Sequence, residues 1–183
     1  MKRLRWTFAL VLLVVGGSAG YWWWATQLER SQDGPIRAAA QRYGVEPALV
    51  KAVVWRESRF NPQVRGRAQE IGLMQLMEEA AQEWADTEHI PGFVHEHCFD
   101  PRTNTLAGAW YLRKLLQRYR QTDNPVPYAL ADYNAGRGNV IKWKHAAAAT
   151  NSALFVRQIG FPATRDYVVK VMARAVKYRD EFR

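Results

Sequence analysis

A chain of 183 residues is long enough for one packed domain with a short extension. Apolar residues at 48% and aromatics at 13% exclude a disordered polymer. The formal charge of +9 suits an anionic partner or surface, yet no Lys/Arg block with interleaved aromatics marks a nucleic-acid interface, so nucleic acid is not expected.

Residues 1–30 read as a signal anchor. Lys2, Arg3 and Arg5 precede an uncharged run from Trp6 to Ala25. At about 20 residues, or ~30 Å of helix, the run matches the hydrocarbon core of a bilayer. Ser18-Ala19-Gly20 offers small residues for cleavage and export, but Tyr21-Trp22-Trp23-Trp24 continues beyond it like an interfacial aromatic belt. The expectation is an uncleaved transmembrane helix in the cytoplasmic (inner) membrane, with the basic flank inside and the domain facing the periplasm and cell wall. A cleaved, exported form is the lesser alternative.

Residues 31–35, Ser-Gln-Asp-Gly-Pro, are polar and punctuated and read as a linker. From 36 to 183 the periodicity is helical, with almost no strand-like alternation. Ile36 to Tyr43 is a first helix stopped by Gly44. Ala48 to about Arg59 is a second, with Leu49, Val50, Val53 and Val54 as its core stripe. It must end near Phe60, because Asn61 precedes Pro62 and is pushed out of helical geometry. Glu57 therefore falls in its last turn.

Gly72 to about Ala85 carries Leu73, Leu76, Met77, Ala80 and Trp84 at helical spacing and reads as a third helix. Glu88 to Asp100 reads as loop. Helices follow over Asn104 to about Arg120, from Pro127 to Asn134, near Asn139 to Ala147, and from about Ala163 to Phe182. The fold class is all-α, six to eight helices behind one membrane helix.

Glu57 at the end of an apolar helix is a candidate acid, since burial holds a proton on a carboxylate. By themselves Met74 and Tyr133 at helical positions are equally core residues, and Gln75 and Asn134 equally caps. His95-Glu96-His97-Cys98 looks at first like a metal cluster. Adjacent loop residues rarely converge on one ion, and no CxxC or HExxH supports a site, so no metal and no cofactor are expected. Cys98 is the single cysteine, so packing and not an internal disulfide must hold the fold.

Four motifs stand in register: Glu57-Ser58-x-Phe60-Asn61-Pro62, Gly72-Leu73-Met74-Gln75, Ala129 to Gly136 (ALADYNAG), and Thr164-Arg165-Asp166-Tyr167-Val168. Together they resemble the soluble-lytic-transglycosylase (SLT domain) family of the lysozyme-like superfamily, over roughly Pro35 to Tyr178. The resemblance implies a lysozyme-like catalytic domain over 36–183. Its implied activity is cleavage of peptidoglycan glycan strands between N-acetylmuramic acid and N-acetylglucosamine, leaving a 1,6-anhydro end. The family's single catalytic acid maps onto Glu57. The resemblance further assigns Gln75 and Asn134 to the sugar's polar groups, Met74 and Tyr133 to the floor of the groove, Tyr167 to the Glu57 carboxyl, and Ser58 to the glutamate's surroundings.

The chain departs from the family pattern at Gly66, often serine, at Gln69-Glu70, often Gly-Ala although one branch of the family carries Glu at the second position, and at Asp132, commonly alanine. Glu70 and Asp132 are thus candidates for a second carboxylate, which would make the enzyme a hydrolytic muramidase of the lysozyme type. A catalytically idle wall-binding module, partnering an unspecified cell-envelope machine, is the other alternative.

Overall fold

The computed structural model describes the backbone of residues 2–180 and 182, and side chains from residue 12 onward, residue 19 excepted. Helix α1 runs Lys2–Arg30 and is followed, after the turn at Ser31 and Gln32, by α2 (Asp33–Tyr43). Most of the expected linker 31–35 is thus the first turn of α2, where Pro35 is tolerated because the first N–H groups of a helix have no partner within it. The expected membrane run lies within α1, but its first part, Trp6 to Val11, and Ala19 lie outside the described side chains. Among the described residues no helix is long and apolar enough to cross a membrane.

Helix α3 (Pro47–Ser58) is the centre of the domain. Ala48, Leu49, Val50, Ala52, Val53 and Val54 are all buried, so the helix is apolar nearly all round and is enclosed by α2 and α9 (Pro162–Arg179). Lys51 lies among them fully buried, its ammonium 2.9 Å from Asp33 and facing the rings of Tyr178 and Phe182. Helices α5 (Pro101–Arg118) and α6 (Pro125–Ala135) close the core against α2 and α9. Helices α4 (Glu78–Thr87), α7 (Arg137–Trp143) and α8 (Ser152–Gln158) complete it, with short 3-10 turns at His95–Phe99 and Ala146–Ala149. The architecture of the described residues is all-α. Helix α8 went unread in the sequence because seven residues are too few to display a period.

The expected third helix is corrected in its first half. Residues 72–77 form a tight hairpin instead, joined by single bridges between Arg65 and Ile71 and between Ile71 and Leu76. Gly72 at φ 78° and Gln75 at φ 46° take left-handed backbone conformations that no α-helix contains. Glycine is required at 72, because a Cβ there would come within 2.1 Å of Asn104 Nδ2 and 2.3 Å of the Cys98 carbonyl.

Candidate active site

Glu57 sits in the last turn of α3, where the unpaired carbonyls of the helix end disfavour negative charge. Two consecutive left-handed residues, Arg59 at φ 53° and Phe60 at φ 66°, then reverse the chain, and the buried Phe60 ring fixes the turn. From α9 the buried Tyr167 donates a hydrogen bond of 2.6 Å to Glu57 Oε1. Burial pushes the Glu57 carboxyl up to about 7. The Tyr167 hydrogen bond and the Arg56 charge pull the other way, and the Glu70 charge adds to the rise. Burial, and next the Glu57 charge, hold the Tyr167 phenol well above its ordinary value, so it stays a donor. The arrangement is a carboxyl group that exchanges its proton near neutrality beside a fixed O–H donor.

Tyr133 projects from α6, and its hydroxyl donates to the Met74 carbonyl at 2.7 Å. It is close enough for the Glu57 charge, after burial, to raise its phenol. Tyr133 and Gln75 also line a groove of about 320 Å³ whose walls include Tyr111, Lys114 and Arg118. Gln75 is held by its own hairpin, its Nε2 donating to the carbonyls of Val64 at 3.0 Å and Gly72 at 2.9 Å. Its side-chain oxygen accepts no hydrogen bond from the described residues.

Other expected site residues lie elsewhere. The Met74 side chain is fully buried against Gly108, where a Cβ would come 2.2 Å from its sulfur, so it underlies the groove and does not face it. Ser58 turns its hydroxyl back to the Val54 carbonyl at 3.1 Å. Asn134 is exposed at the end of α6 and accepts from Thr164 at 2.8 Å, tying α6 to α9. Asp132 is 2% exposed and bound by Arg118 at 2.5 Å and by the Tyr119 hydroxyl at 2.7 Å. Its charge is not among the causes that act on Glu57. The second-carboxylate role considered for Asp132 therefore has no geometric support, since the residue is buried and its Oδ2 receives both Arg118 and Tyr119 inside the domain.

One residue read from the sequence only as the start of a helix has a further role. Asn104 on α5 is fully buried and binds the hairpin through its side chain: Oδ1 accepts from Met74 N at 2.8 Å, and Nδ2 donates to the carbonyls of Ile71 at 3.0 Å and Cys98 at 2.8 Å. The available signal was a lone amide among the small and apolar residues of a helix face, where a polar group needs partners. His95 and Cys98 both turn inward. His95 Nε2 meets the Leu76 carbonyl at 2.9 Å, and burial pushes the Cys98 thiol up to about 12. Among the described residues no group of His, Cys, Asp and Glu could hold a metal ion.

An all-α lysozyme-like domain with one protonatable glutamate at the end of its central helix defines a class of glycan-cleaving folds. The comparisons narrow it: the transglycosylase SLT domain model matches residues 34–156, and the chain belongs to that family. It is 35% identical over 137 residues to the soluble lytic murein transglycosylase of Escherichia coli K12, covering 74% of this chain and 21% of that protein. It is also 35% identical over 115 residues to membrane-bound lytic murein transglycosylase C of Pectobacterium atrosepticum, covering 58% of this chain and 32% of that one. The fold superposes with a TM-score of 0.74 and 28% identity on an inactive glutamate-to-glutamine mutant of lytic transglycosylase Slt from Pseudomonas aeruginosa, over 81% of this chain and 24% of the other. The chain thus spans between a fifth and a third of the length of these relatives.

Proposed function

We propose that this chain is a peptidoglycan lytic transglycosylase with Glu57 as its single acid and base. The observation that carries the reading is the largely enclosed Glu57 carboxyl, held to about 7 and bound by the Tyr167 hydroxyl at 2.6 Å. In the first step Glu57 gives its proton to the glycosidic oxygen, and the bond to the anomeric carbon of N-acetylmuramic acid breaks. As carboxylate it then takes the proton of the C6 hydroxyl, whose oxygen closes onto the anomeric carbon as a 1,6-anhydro ring. No water is consumed, and Glu57 is protonated again. Because the nucleophile belongs to the substrate, effective molarity replaces a base-activated water, and one carboxyl group suffices. Gln75 is proposed to offer its free side-chain oxygen to the sugar N-acetyl group, and Tyr133 to wall the ring.

The commitment of Asp132 to Arg118 and Tyr119 favours this reading over a hydrolase that uses Asp132 as its second carboxylate; one that uses Glu70 is separated by its products. We further propose that α1 anchors the domain at the cytoplasmic membrane with the groove toward the wall. Leu12, Leu13, Val14 and Val15, then Tyr21 to Trp24, are all exposed on α1, an apolar surface of a kind that lipid covers. The deciding experiment is mass analysis of sacculi digested with the full chain in detergent. Products one water lighter than reducing-end muropeptides are expected, and reducing ends alone would replace the reading with hydrolysis. Recovery of the chain in the soluble fraction after cell lysis would remove the anchor.

A further inference from the structure

Resting on the proposed anchoring of α1, we propose that the groove between α1 and the end of α3 binds one anionic phospholipid, its phosphate on Arg59 and its acyl chains along α1. This groove measures about 540 Å³ and shares no lining residue with the one beside Tyr133. One wall is the aromatic stretch of α1, with Tyr21, Trp22 and Trp24. The other is the end of α3 and its turn, with Trp55, Arg59 and Phe60. Glu29 ties the walls together: its carboxylate accepts from Arg174 of α9 at 2.6 Å and from the buried Tyr178 hydroxyl, while Leu28 packs against the core. The groove is thus a fixed feature of the packed chain and not a gap beside a loose helix.

Charge selects the ligand. Glu29, Arg59 and Arg174 line the groove, and Glu29 and Arg174 satisfy each other. Arg59 remains. Its guanidinium lies 4.1 Å from the centre of the Trp55 ring and meets no carboxylate among the described residues, so the groove presents an uncompensated positive charge on an aromatic wall. The Arg59 backbone is strained as well. It takes φ 53° at the C-cap of α3, a left-handed geometry in which glycine is free of strain and a residue with a Cβ is not, so an arginine there points to a task for its side chain. The apolar part of the ligand has its own surface. Val14 and Val15 are exposed and precede Tyr21 and Trp22 by seven positions, about two turns, so they continue the groove's face along α1. From Leu12 to Trp22 the helix rises about 15 Å, the depth of one leaflet of a ~30 Å hydrocarbon core. Tryptophans and an arginine at the upper end of that stretch match the level at which lipid phosphates lie. A free phosphate would leave the aromatic wall unused, and a zwitterionic lipid would bring a second cation to a groove already positive.

The test is native mass spectrometry of the full chain released from detergent micelles, titrated with phosphatidylglycerol, with phosphatidylcholine of the same acyl chains, and with inorganic phosphate. One phosphatidylglycerol should bind per chain with saturation, roughly 10-fold or more tighter than phosphatidylcholine, and inorganic phosphate should not displace it. Arg59→Gly suits the left-handed backbone, so it should fold at least as well as the wild type and lose the preference for the anionic lipid. Arg59→Gln keeps the bulk without the charge and should lose it too. Equal binding of the two lipids, a preference unaltered in either folded variant, or displacement by inorganic phosphate overturns the proposal. The titration in detergent does not require α1 to span a bilayer, so recovery of the chain in the soluble fraction after lysis would count against the anchor and not against this site.

Discussion

The Tyr167 hydroxyl lies 2.6 Å from Glu57 Oε1, a hydrogen bond between residues 110 positions apart in the chain. It is the contact through which α9 reaches the end of α3, and it stabilises the carboxylate that remains once Glu57 has given up its proton. Tyr167→Phe removes this donor, so the Glu57 titration moves up in pH while the carboxylate loses a charge-assisted hydrogen bond. Such bonds contribute about 1.5–3 kcal/mol, which corresponds to a loss of roughly 10- to 100-fold in kcat/KM. The alkaline limb of a pH profile of glycan cleavage checks the direction. It is expected above the wild-type limb.

Glu57→Gln keeps the shape of the side chain and removes its proton. Turnover should fall by a factor of about 10² to 10⁴ or more, with binding of wall fragments retained. Stability should change in the other direction. The folded-state value of Glu57 is raised from 4.5 to about 7, so the native state holds more protons than the unfolded chain across that interval. The glutamate's contribution is therefore fully present below about 4.5 and is lost as pH rises toward 7. The substituted amide does not titrate. The variant's melting temperature should rise relative to wild type between pH 4.5 and 7 and level off above, by an amount equivalent to ~3 kcal/mol. A difference constant with pH would contradict the enclosure of Glu57.

Asn104→Ala deletes the clamp that holds the hairpin from α5 and leaves the Met74 N–H and the carbonyls of Ile71 and Cys98 without their partner. Each unsatisfied buried group costs about 1–3 kcal/mol, so a destabilisation of roughly 3–5 kcal/mol is expected in denaturant titration. Asn104→Asp should cost as much or more, because a carboxylate cannot donate to the two carbonyls. Cleavage should fall with it, since Gln75 and the Met74 carbonyl that receives Tyr133 ride on the same hairpin.

Asp132→Ala leaves Arg118 and Tyr119 facing a site without charge, and breaking a buried pair of this kind costs about 3–5 kcal/mol. The ratio of anhydro to reducing-end products from whatever folds should not change. A shift of products toward the anhydro form would instead assign Asp132 a part in water attack.

Local rules in the sequence determined the all-α class, the end of α3 near Phe60, and with it the position of Glu57. Helical period and the restriction on a residue before proline act within a few positions of the chain. The same short reach explains the misreading of residues 72–77. Leu73, Leu76 and Met77 repeat at helical spacing, but Leu73 and Leu76 are buried by a hairpin whose left-handed residues Gly72 and Gln75 leave no trace in a hydrophobic pattern. Tertiary structure alone decided what each polar group meets: Tyr167 reaches Glu57, Asp132 is committed to Arg118 and Tyr119, Met74 turns into the core, and Glu70 takes the space left by Gly66. The proton affinity of a carboxyl group depends on burial and on charges brought from distant parts of the chain, and those are properties of the packed fold.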